Sequence, residues 1–233
     1  MNPSLPSQRL LQVQAEWLSD ARARMLRLAE IARRKRVLDL GAGFGAITDE
    51  LRRRTSGVVI ALDRSKEAFT SIEKPAVCGD ANQLPFHNAS FDLVFSQNVL
   101  LWIQAPEFVV EQVNRILISG GVWVLFEPDY GGMIEYPLET SKIWIDALTR
   151  AGGDPYIGRR MPSLLEQIGF RIRIELLPHL LPPSTERFDF LEELPLTEEE
   201  RSKISAVRTH SQSSFGEQQI SHLPYFLIIA ERR

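Results

Sequence analysis

The spacing of hydrophobic residues changes once along the chain, near residue 36. Over residues 8–32, apolar side chains recur every three or four positions, which predicts one amphipathic helix. Beyond it, short apolar runs rich in β-branched residues alternate with helix-like segments, and this alternation predicts a mostly parallel sheet covered on both faces. The expected strands are 36–40, 57–63, 76–80, 91–96, 120–129, 170–177 and 224–233, and the further helices 46–54, 65–73, 106–117, 139–151 and 161–168.

We expect one domain, residues 1–233, built from three parts. Residues 1–35 are predicted to form an N-terminal helical lid. Residues 36–177 and 224–233 are predicted to form the core sheet and its helices. Residues 178–223 are rich in proline and acidic residues, and we expect a helical insertion near the substrate site.

The segment "VLDLGAGFGA" places three glycines at alternating positions where the first strand ends. A glycine-rich turn between a strand and a helix lets the backbone approach a ligand and aims the helix N-terminus at a negative group. The pattern fits a dinucleotide-binding turn, and Asp63 lies 20 residues after Gly43, the right spacing for a ribose contact. The turn alone therefore leaves a nicotinamide dinucleotide open as the ligand.

Three aspartates lie in or directly after the first three strands: Asp39, Asp63 and Asp80. Parallel strands deliver them to one edge of the sheet, where open α/β folds bind ligands. Three acids disfavour a phosphate-rich ligand. S-adenosylmethionine, with its amino group, two ribose hydroxyls and exocyclic amine, can use one acid for each. Each aspartate also has a structural alternative: Asp63 and Asp80 as helix N-caps, and Asp39 as a buried structural acid.

Composition and charge narrow the class of protein. The chain has 233 residues, a net charge of −3 and 24% charged residues, which gives no reason to expect nucleic acid or an anionic membrane as partner. No apolar run reaches about 18 residues, and the N-terminal sequence does not resemble a signal peptide. The single cysteine, Cys78, fits a reducing, cytoplasmic setting and is expected in the core, because its strand is apolar.

The histidines give no reason to expect a bound metal. His87, His179, His210 and His222 show no paired spacing on a helix and no neighbouring cysteine. The chain also lacks an "NPPY"-like tetrad after the fourth strand, which disfavours a nucleic-acid base as the substrate.

Five segments, taken in order, resemble class I S-adenosylmethionine-dependent methyltransferases of the small-molecule, ubiquinone-biosynthesis-like branch. They are "VLDLGAGFGA", "ALDRS", "CGDANQLPF", "FDLVFSQNVLLWI" and "GGVWVLFEPD", and "PYIGRRMPSLLEQIGFRIRI" and "FLIIAERR" resemble the family's tail. The resemblance implies an α/β fold with a doubly wound, Rossmann-like, mostly parallel seven-stranded sheet of order 3-2-1-4-5-7-6, strand 7 being antiparallel. It also implies methyl transfer from S-adenosylmethionine to a small-molecule oxygen, nitrogen or carbon, with S-adenosylhomocysteine as product.

The resemblance further implies cofactor contacts near the glycine turn. Gly41, Gly43 and Gly45, with Ala42 among them, would let the backbone approach the methionine moiety. Asp39 would help orient that region, toward the amino group.

The remaining implied contacts involve the adenosine and the methionine end. Asp63 would accept from both ribose hydroxyls, and Arg64 would cover the adenine. Asp80 would accept from the adenine amino group while Ala81 offers its backbone, and Gln97 would contact the methionine end. The alternatives are a solvated surface position for Arg64 and a bond to loop backbone for Gln97.

Substrate groups are expected on loops after the fourth and fifth strands and on flanking helices. In "EPDYGG", Glu127 and Tyr130 are the candidate catalytic residues, because an acid and a phenol can orient or deprotonate an acceptor. Further substrate contacts are expected from Trp17, Trp102, Asp129, Tyr156 and Arg159. The alternatives are a turn whose acids cap backbone groups and, for the last two residues, a solvated loop.

Two other functions stay open: an NAD(P)-dependent oxidoreductase that uses the same glycine turn, and a non-catalytic cofactor-binding scaffold protein. Asp39 and Asp80 argue against the first, and the complete set of acids argues against the second. The expected partner is a small-molecule substrate, with no nucleic acid and no membrane, and the chain is expected to be a monomer or homodimer.

Overall fold

The computed structural model describes residues 6–136, 140–177, 186–213 and 220–233. His179 and parts of the predicted 178–223 insertion lie outside these described residues. Within them, nine strands form two sheets: β1 (Arg36–Leu40), β2 (Val58–Asp63), β3 (Ala76–Cys78), β4 (Phe91–Gln97), β5 (Leu117–Pro128), β6 (Ile134–Tyr136), β7 (Arg171–Leu176), β8 (Ile220–His222) and β9 (Tyr225–Glu231).

The described ranges also contain eight α-helices, joined in places by short 3₁₀ turns. They are α1 (Gln8–Trp17), α2 (Ser19–Leu28), α3 (Thr48–Arg54), α4 (Pro106–Ile116), α5 (Ser141–Arg150), α6 (Ile157–Gln167), α7 (Glu186–Glu192) and α8 (Glu198–Ser213). None of these helices is both long and apolar enough to cross a bilayer.

The main sheet has the order β3-β2-β1-β4-β5-β9-β7. The first five strands in this order are parallel, and β9 runs antiparallel to both of its neighbours. The predicted order, with an antiparallel last strand, is therefore confirmed. The parallel register aligns Leu40 with Leu62 and Asp63 with Cys78, so the carboxyl ends of the strands meet at one edge of the sheet.

Two hydrophobic layers lie on opposite faces of the main sheet. Leu38 and Val94 pack in one layer with α4, α5 and α6, whereas their neighbours Val37 and Phe95 pack in the other with α2 and α3. Successive residues of a strand point to opposite faces, so both faces must be apolar. This explains why the strands read as continuous apolar runs.

The predicted single helix over residues 8–32 is wrong, because the chain forms two helices that meet at Leu18. Leu18 leaves the helical region, with φ −108° and ψ 9°, and its side chain is buried. The predicted helix 65–73 is also wrong, because only Glu67–Thr70 forms a 3₁₀ turn. There the Thr70 hydroxyl donates to the Glu67 carbonyl at 2.8 Å, a local bond that competes with helix formation.

Two further differences concern the edges of the fold. Cys78, expected in the core, is exposed because β3 is the edge strand of the main sheet. The predicted helical insertion does contain α7 and α8, but it also contributes β8, which pairs antiparallel with β6 in a small second sheet. The sequence did not predict β6 and β8, because strands of three residues are too short to show a periodic pattern and their partners are far apart in the sequence.

Candidate functional site

A cavity of about 1110 Å³ lies along the carboxyl edge of the parallel strands. Its wall includes residues that end or follow successive strands: Gly41, Asp63, Asp80, Gln97 and Tyr130. The volume matches that of pockets that enclose small molecules. The structure therefore brings the loops after these strands together on one cavity, and their role in binding stays a prediction.

The glycine turn presents bare backbone to the cavity. Gly41 has φ +72°, and a Cβ atom added there would lie 2.4 Å from Val99 Cγ2, so no larger residue fits. The backbone N–H groups of Gly41 and Ala42 both donate to the Leu62 carbonyl, at 2.8 and 3.0 Å. These bonds fix the turn against the end of β2 while Gly41, Ala42 and Gly43 line the cavity.

Asp63 links the turn to the second strand. Its Oδ2 accepts from the Gly43 backbone N–H at 2.8 Å, and its Oδ1 accepts from the Ser65 backbone N–H at 2.9 Å. Each carboxylate oxygen can accept a second bond. Asp63 lines the cavity although only 6% of its surface is exposed, so its remaining lone pairs are available to a ligand there.

Asp80 and its neighbours form the far end of the same wall. Asp80 Oδ1 accepts from the backbone N–H of Asn82 at 2.8 Å and from its side-chain amide at 2.9 Å. Asp80 is thus an N-cap of a 3₁₀ turn, the structural alternative, and also lines the cavity with Ala81 and Arg64. The two roles are compatible, because both of these bonds use Oδ1 alone.

Two residues predicted to touch the cofactor lie behind the glycine turn, off the cavity wall. Asp39 Oδ2 accepts from the Thr48 hydroxyl at 2.6 Å, and burial raises the pKa of Asp39 to about 6. Gly45 donates its backbone N–H to the Ala42 carbonyl at 2.9 Å. Both residues brace the turn, so the geometry favours the structural alternative for Asp39.

A buried arginine that the sequence reading did not single out joins the helical segment to the sheet. Arg22 donates to Glu50 Oε2 at 2.7 Å, to the Ala15 carbonyl at 2.8 Å and to Gln97 Oε1 at 3.2 Å. It is only 3% exposed. The sequence could have indicated its burial, because Arg22 lies four residues after Leu18 and four before Leu26, on the same face of the predicted helix.

Glu127 lies outside the cavity wall. Its carboxylate accepts from the backbone N–H groups of Val99, Leu100 and Leu101, at 3.1, 3.0 and 3.2 Å, and the residue is fully buried. Burial raises its pKa to about 7. The carboxylate holds the loop after β4 in place, and this geometry does not support a role for Glu127 as a catalytic base.

Asp129, Tyr156 and Arg159 also form a cluster outside the cavity wall. Arg159 Nε donates to both oxygens of Asp129 at 2.9 Å, and Arg159 Nη2 donates to Oδ2 at 2.7 Å. The Arg159 guanidinium lies over the Tyr156 ring, 5.5 Å from its centroid. Asp129 thus pairs with a side chain instead of capping backbone groups, and Arg159 lies on α6 instead of in a solvated loop. The cluster ties α6 to the end of β5.

The other predicted substrate residues do line the cavity. Trp17 of α1 contacts Phe190 of α7, with ring centroids 5.3 Å apart, and Trp102 follows β4. Tyr130 stacks on Trp144 at 5.2 Å, and burial raises the pKa of the Tyr130 phenol well above its usual value. Side chains of α1 and α7 therefore cover this edge of the sheet, and the N-terminal lid stays a prediction.

Comparison with known proteins agrees with this geometry. Residues 38–125 match the model of a family described as a methyltransferase domain. This match contains the glycine turn, Asp63, Asp80 and Gln97. The resemblance found in the sequence is confirmed over that part of the chain.

Two curated relatives match parts of the chain. A malonyl-[acyl-carrier protein] O-methyltransferase of Herminiimonas arsenicoxydans is 39% identical over 89 residues, which are 36% of this chain and 34% of that protein. The mitochondrial arginine-hydroxylase NDUFAF5 of Homo sapiens is 32% identical over 125 residues, 52% of this chain and 36% of that protein. The chain thus spans less than half the length of these relatives.

Among solved structures, the chain is similar to phosphoethanolamine N-methyltransferase 2 of Haemonchus contortus, in complex with phosphomonomethylethanolamine and S-adenosylhomocysteine. The TM-score is 0.61 at 16% identity, covering 95% of this chain and 56% of that one. At this identity the similarity shows a shared fold.

Proposed function

Because residues 38–125 form a methyltransferase domain on a fold shared with such enzymes, we propose that this chain transfers a methyl group from S-adenosylmethionine to a small-molecule oxygen, nitrogen or carbon. The observation that carries the proposal is the arrangement of Asp63 and Asp80 with the bare glycine turn on one cavity. These residues supply acceptors for hydroxyl and amino hydrogens and leave space for a ligand.

The residues present fit S-adenosylmethionine. Gly41, Ala42 and Gly43 line the cavity, and Val99 leaves no room for a side chain at Gly41, so a ligand there would lie against backbone. Asp63 is placed to accept from the ribose hydroxyls and Asp80 from the adenine amino group, because each keeps free lone pairs on the cavity. Gln97, fixed by Arg22, would hold the methionine end.

When bound, S-adenosylmethionine supplies a methyl group on a positively charged sulfonium, which is already an activated electrophile. The protein's own residues therefore need mainly to align the acceptor and to exclude water. Trp17, Trp102 and Phe190 cover the sheet edge with apolar surface. Tyr130 keeps its proton at neutral pH, since burial raises its pKa, and would orient the acceptor as a hydrogen-bond donor.

Other reactions use related architecture, since a fold does not fix a reaction. For a nicotinamide dinucleotide, the pyrophosphate would lie on the glycine turn, close to the buried Asp39, and Asp80 would add a second acid on the same cavity. This arrangement of acids disfavours it. The relative named as an arginine-hydroxylase makes hydroxylation the reaction that an activity assay must separate from methyl transfer. A non-catalytic scaffold would bind the cofactor and release no product.

The proposed function also includes a cellular location and an oligomeric state. The single cysteine, exposed on the edge strand, fits a reducing compartment, and we place the protein in the cytoplasm. A small molecule is the proposed partner, with no nucleic acid, and the proposed state is a monomer or homodimer.

Cofactor choice is tested by thermal unfolding with S-adenosylhomocysteine or NADH. A ligand at about 100 times its dissociation constant stabilises the folded state by about 2.7 kcal/mol. We expect S-adenosylhomocysteine to raise the melting temperature and NADH to leave it unchanged. The opposite result would reject the methyltransferase proposal.

The reaction is tested by incubating the protein with methyl-labelled S-adenosylmethionine and pools of small metabolites, read by mass spectrometry. A product that carries the labelled methyl group supports methyl transfer, and a product that gains oxygen instead supports hydroxylation. Cofactor binding with no product from any pool favours the scaffold function.

A further inference from the structure

Five buried side-chain polar atoms lack a hydrogen-bond partner within the described ranges, and the three residues that carry them all line the same cavity. The atoms are Asn98 Nδ2 and Oδ1, Trp144 Nε1, and Arg187 Nε and Nη1. The Asn98 amide faces the Tyr225 phenol, so the donors that lack any neighbouring partner are those of Trp144 and Arg187. Buried polar atoms are almost always paired, because an unpaired one loses its bonds to water without replacement. Because all three residues line one cavity, a ligand bound there would complete these bonds.

Arg187 is the most informative of the three. It lies in the first turn of α7, and its guanidinium lies over the ring of Phe188, with Cζ 4.5 Å from the ring centroid. Phe188 is buried, so the stacked guanidinium is held on a rigid support. Burial lowers the pKa of Arg187, but an arginine side chain keeps its charge at neutral pH.

The charged groups around Arg187 do not neutralise it by direct contact in the part of the chain that the structure describes. Glu135 is the acid that acts on it through space. However, Glu135 Oε1 accepts from the Thr140 hydroxyl at 2.8 Å, and its Oε2 accepts from the Thr140 backbone N–H. The Glu135 carboxylate is therefore directed at Thr140.

Three other arginines on the cavity wall differ from Arg187, and the first of them, Arg64, is exposed. Arg150 donates to the Pro195 carbonyl at 2.8 Å and to Glu200 at 2.5 Å, so its guanidinium is paired within the protein. Arg201 is exposed, and water can solvate it. Arg187 is partly buried and has two buried donor atoms, Nε and Nη1, without a partner, so its guanidinium can bind an anion.

We infer that Arg187 binds an anionic group, a carboxylate or a phosphate, on the methyl acceptor. This inference rests on the proposed methyltransferase function. A guanidinium presents two parallel N–H donors that match the oxygens of either anion. The unpaired indole N–H of Trp144 offers another donor in the same cavity, and Trp144 stacks on Tyr130. The apolar remainder of the acceptor would lie against Phe190 and Met133.

The test measures binding of three probes to the full chain saturated with S-adenosylhomocysteine, by isothermal titration calorimetry. The probes are hexanoate, hexyl phosphate and the uncharged hexanamide. We expect at least one anion to bind at least about tenfold more tightly than hexanamide, since hydrogen bonds to charged groups are the stronger class. The anion that binds more tightly identifies the acceptor's group as a carboxylate or a phosphate.

Variants assign the effect to one side chain. Arg187→Gln should lose the preference for anions, Arg187→Lys should keep part of it, and the matched control Arg201→Gln should keep all of it. S-adenosylhomocysteine binding by each variant shows that the fold is intact. If Arg187→Gln does not fold, a preference reduced in Arg187→Lys and intact in Arg201→Gln still supports the inference.

Failure of this inference is distinguishable from failure of the proposed function. If the wild-type chain binds S-adenosylhomocysteine but prefers neither anion to hexanamide, the anion inference is overturned and the methyltransferase proposal stands. Loss of the preference in Arg201→Gln instead of Arg187→Gln would also overturn it. A wild-type chain that does not bind S-adenosylhomocysteine would reject both.

Discussion

The carboxylate of Asp63 accepts a hydrogen bond from the backbone N–H of Gly43 at 2.8 Å. This bond joins the end of β2 to the middle of the glycine turn that follows β1. A single side chain thereby fixes the backbone that would contact the methionine moiety and faces the space proposed for the ribose. The same side chain thus fixes the turn at the methionine end of the proposed cofactor and supplies the proposed acceptor for its ribose.

Replacing Asp63 with asparagine should weaken S-adenosylhomocysteine binding by about 1–3 kcal/mol, because hydrogen bonds to a charged acceptor are lost. Asparagine keeps one acceptor oxygen, so the fold should survive. Calorimetry gives the dissociation constant, and Asp20→Asn, an exposed aspartate on α2, is the matched control. An unchanged dissociation constant would remove Asp63 from the ribose contact.

Gly41→Ala should destabilise the fold more than Gly120→Ala, although both glycines have φ +72°. The backbone cost of this conformation, about 1–2 kcal/mol for a side-chain-bearing residue, applies to both. Only at Gly41 does the new Cβ meet a neighbour, Val99 at 2.4 Å, whereas nothing lies within 4 Å at Gly120. Urea denaturation compares the two variants, and equal losses would show that Val99 moves aside.

Glu127 should make the protein less stable as pH rises. Its pKa is raised from 4.5 to about 7 in the folded chain, so the folded state holds a proton that the unfolded chain releases. Burial of the ionised carboxylate lowers the free energy of unfolding. This loss is absent below about pH 4.5, grows as pH rises and is complete above about pH 7, where it reaches roughly 3 kcal/mol. The free energy of unfolding, measured from pH 4.5 to 8, should fall by about this amount relative to Glu127→Gln.

The difference in free energy of unfolding between the wild-type chain and Glu127→Gln isolates the contribution of Glu127, because Asp39 titrates equally in both. Parallel pH profiles would mean that the three backbone N–H groups of Val99, Leu100 and Leu101 stabilise the carboxylate enough to offset its burial.

Tyr130→Phe should lower the rate of methyl transfer by roughly two- to tenfold, the value of one hydrogen bond. The ring that stacks on Trp144 is kept, so the melting temperature should change little. The rate constant kcat is measured with the acceptor found in the metabolite screen. Tyr136→Phe, at an exposed phenol, is the control. An unchanged kcat would remove the Tyr130 hydroxyl from acceptor orientation.

Most of the sheet and half of the site could be predicted from the sequence because their signals are local. Each parallel strand is a short apolar run, and Asp63 and Asp80 follow such runs, so the right-handed connections of α/β folds bring them to one edge. The glycine turn is recognisable because its three glycines occupy alternate positions directly after the first strand.

The other half of the site could not be predicted, because it depends on contacts between segments distant in sequence, and the periodicity of hydrophobic residues does not indicate such contacts. Glu127 and Asp129 looked available in "EPDYGG", yet one is bound by the loop after β4 and the other by Arg159. Arg187 lies in the proline- and acid-rich segment 178–223, where no residue was predicted to belong to the site. Its desolvation appears only when α7 is placed against the cavity.

The cavity is floored by the ends of the parallel strands and roofed by α1, α7 and the small β6–β8 sheet. The floor comes from residues 36–130, while the roof comes from segments before and after it along the chain. The aspartates proposed to bind the nucleoside therefore belong to the floor, whereas Trp17, Phe190 and Arg187, proposed to face the acceptor, belong to the roof. Chimaeras that graft a foreign roof onto this floor offer a direct route to enzymes of altered selectivity.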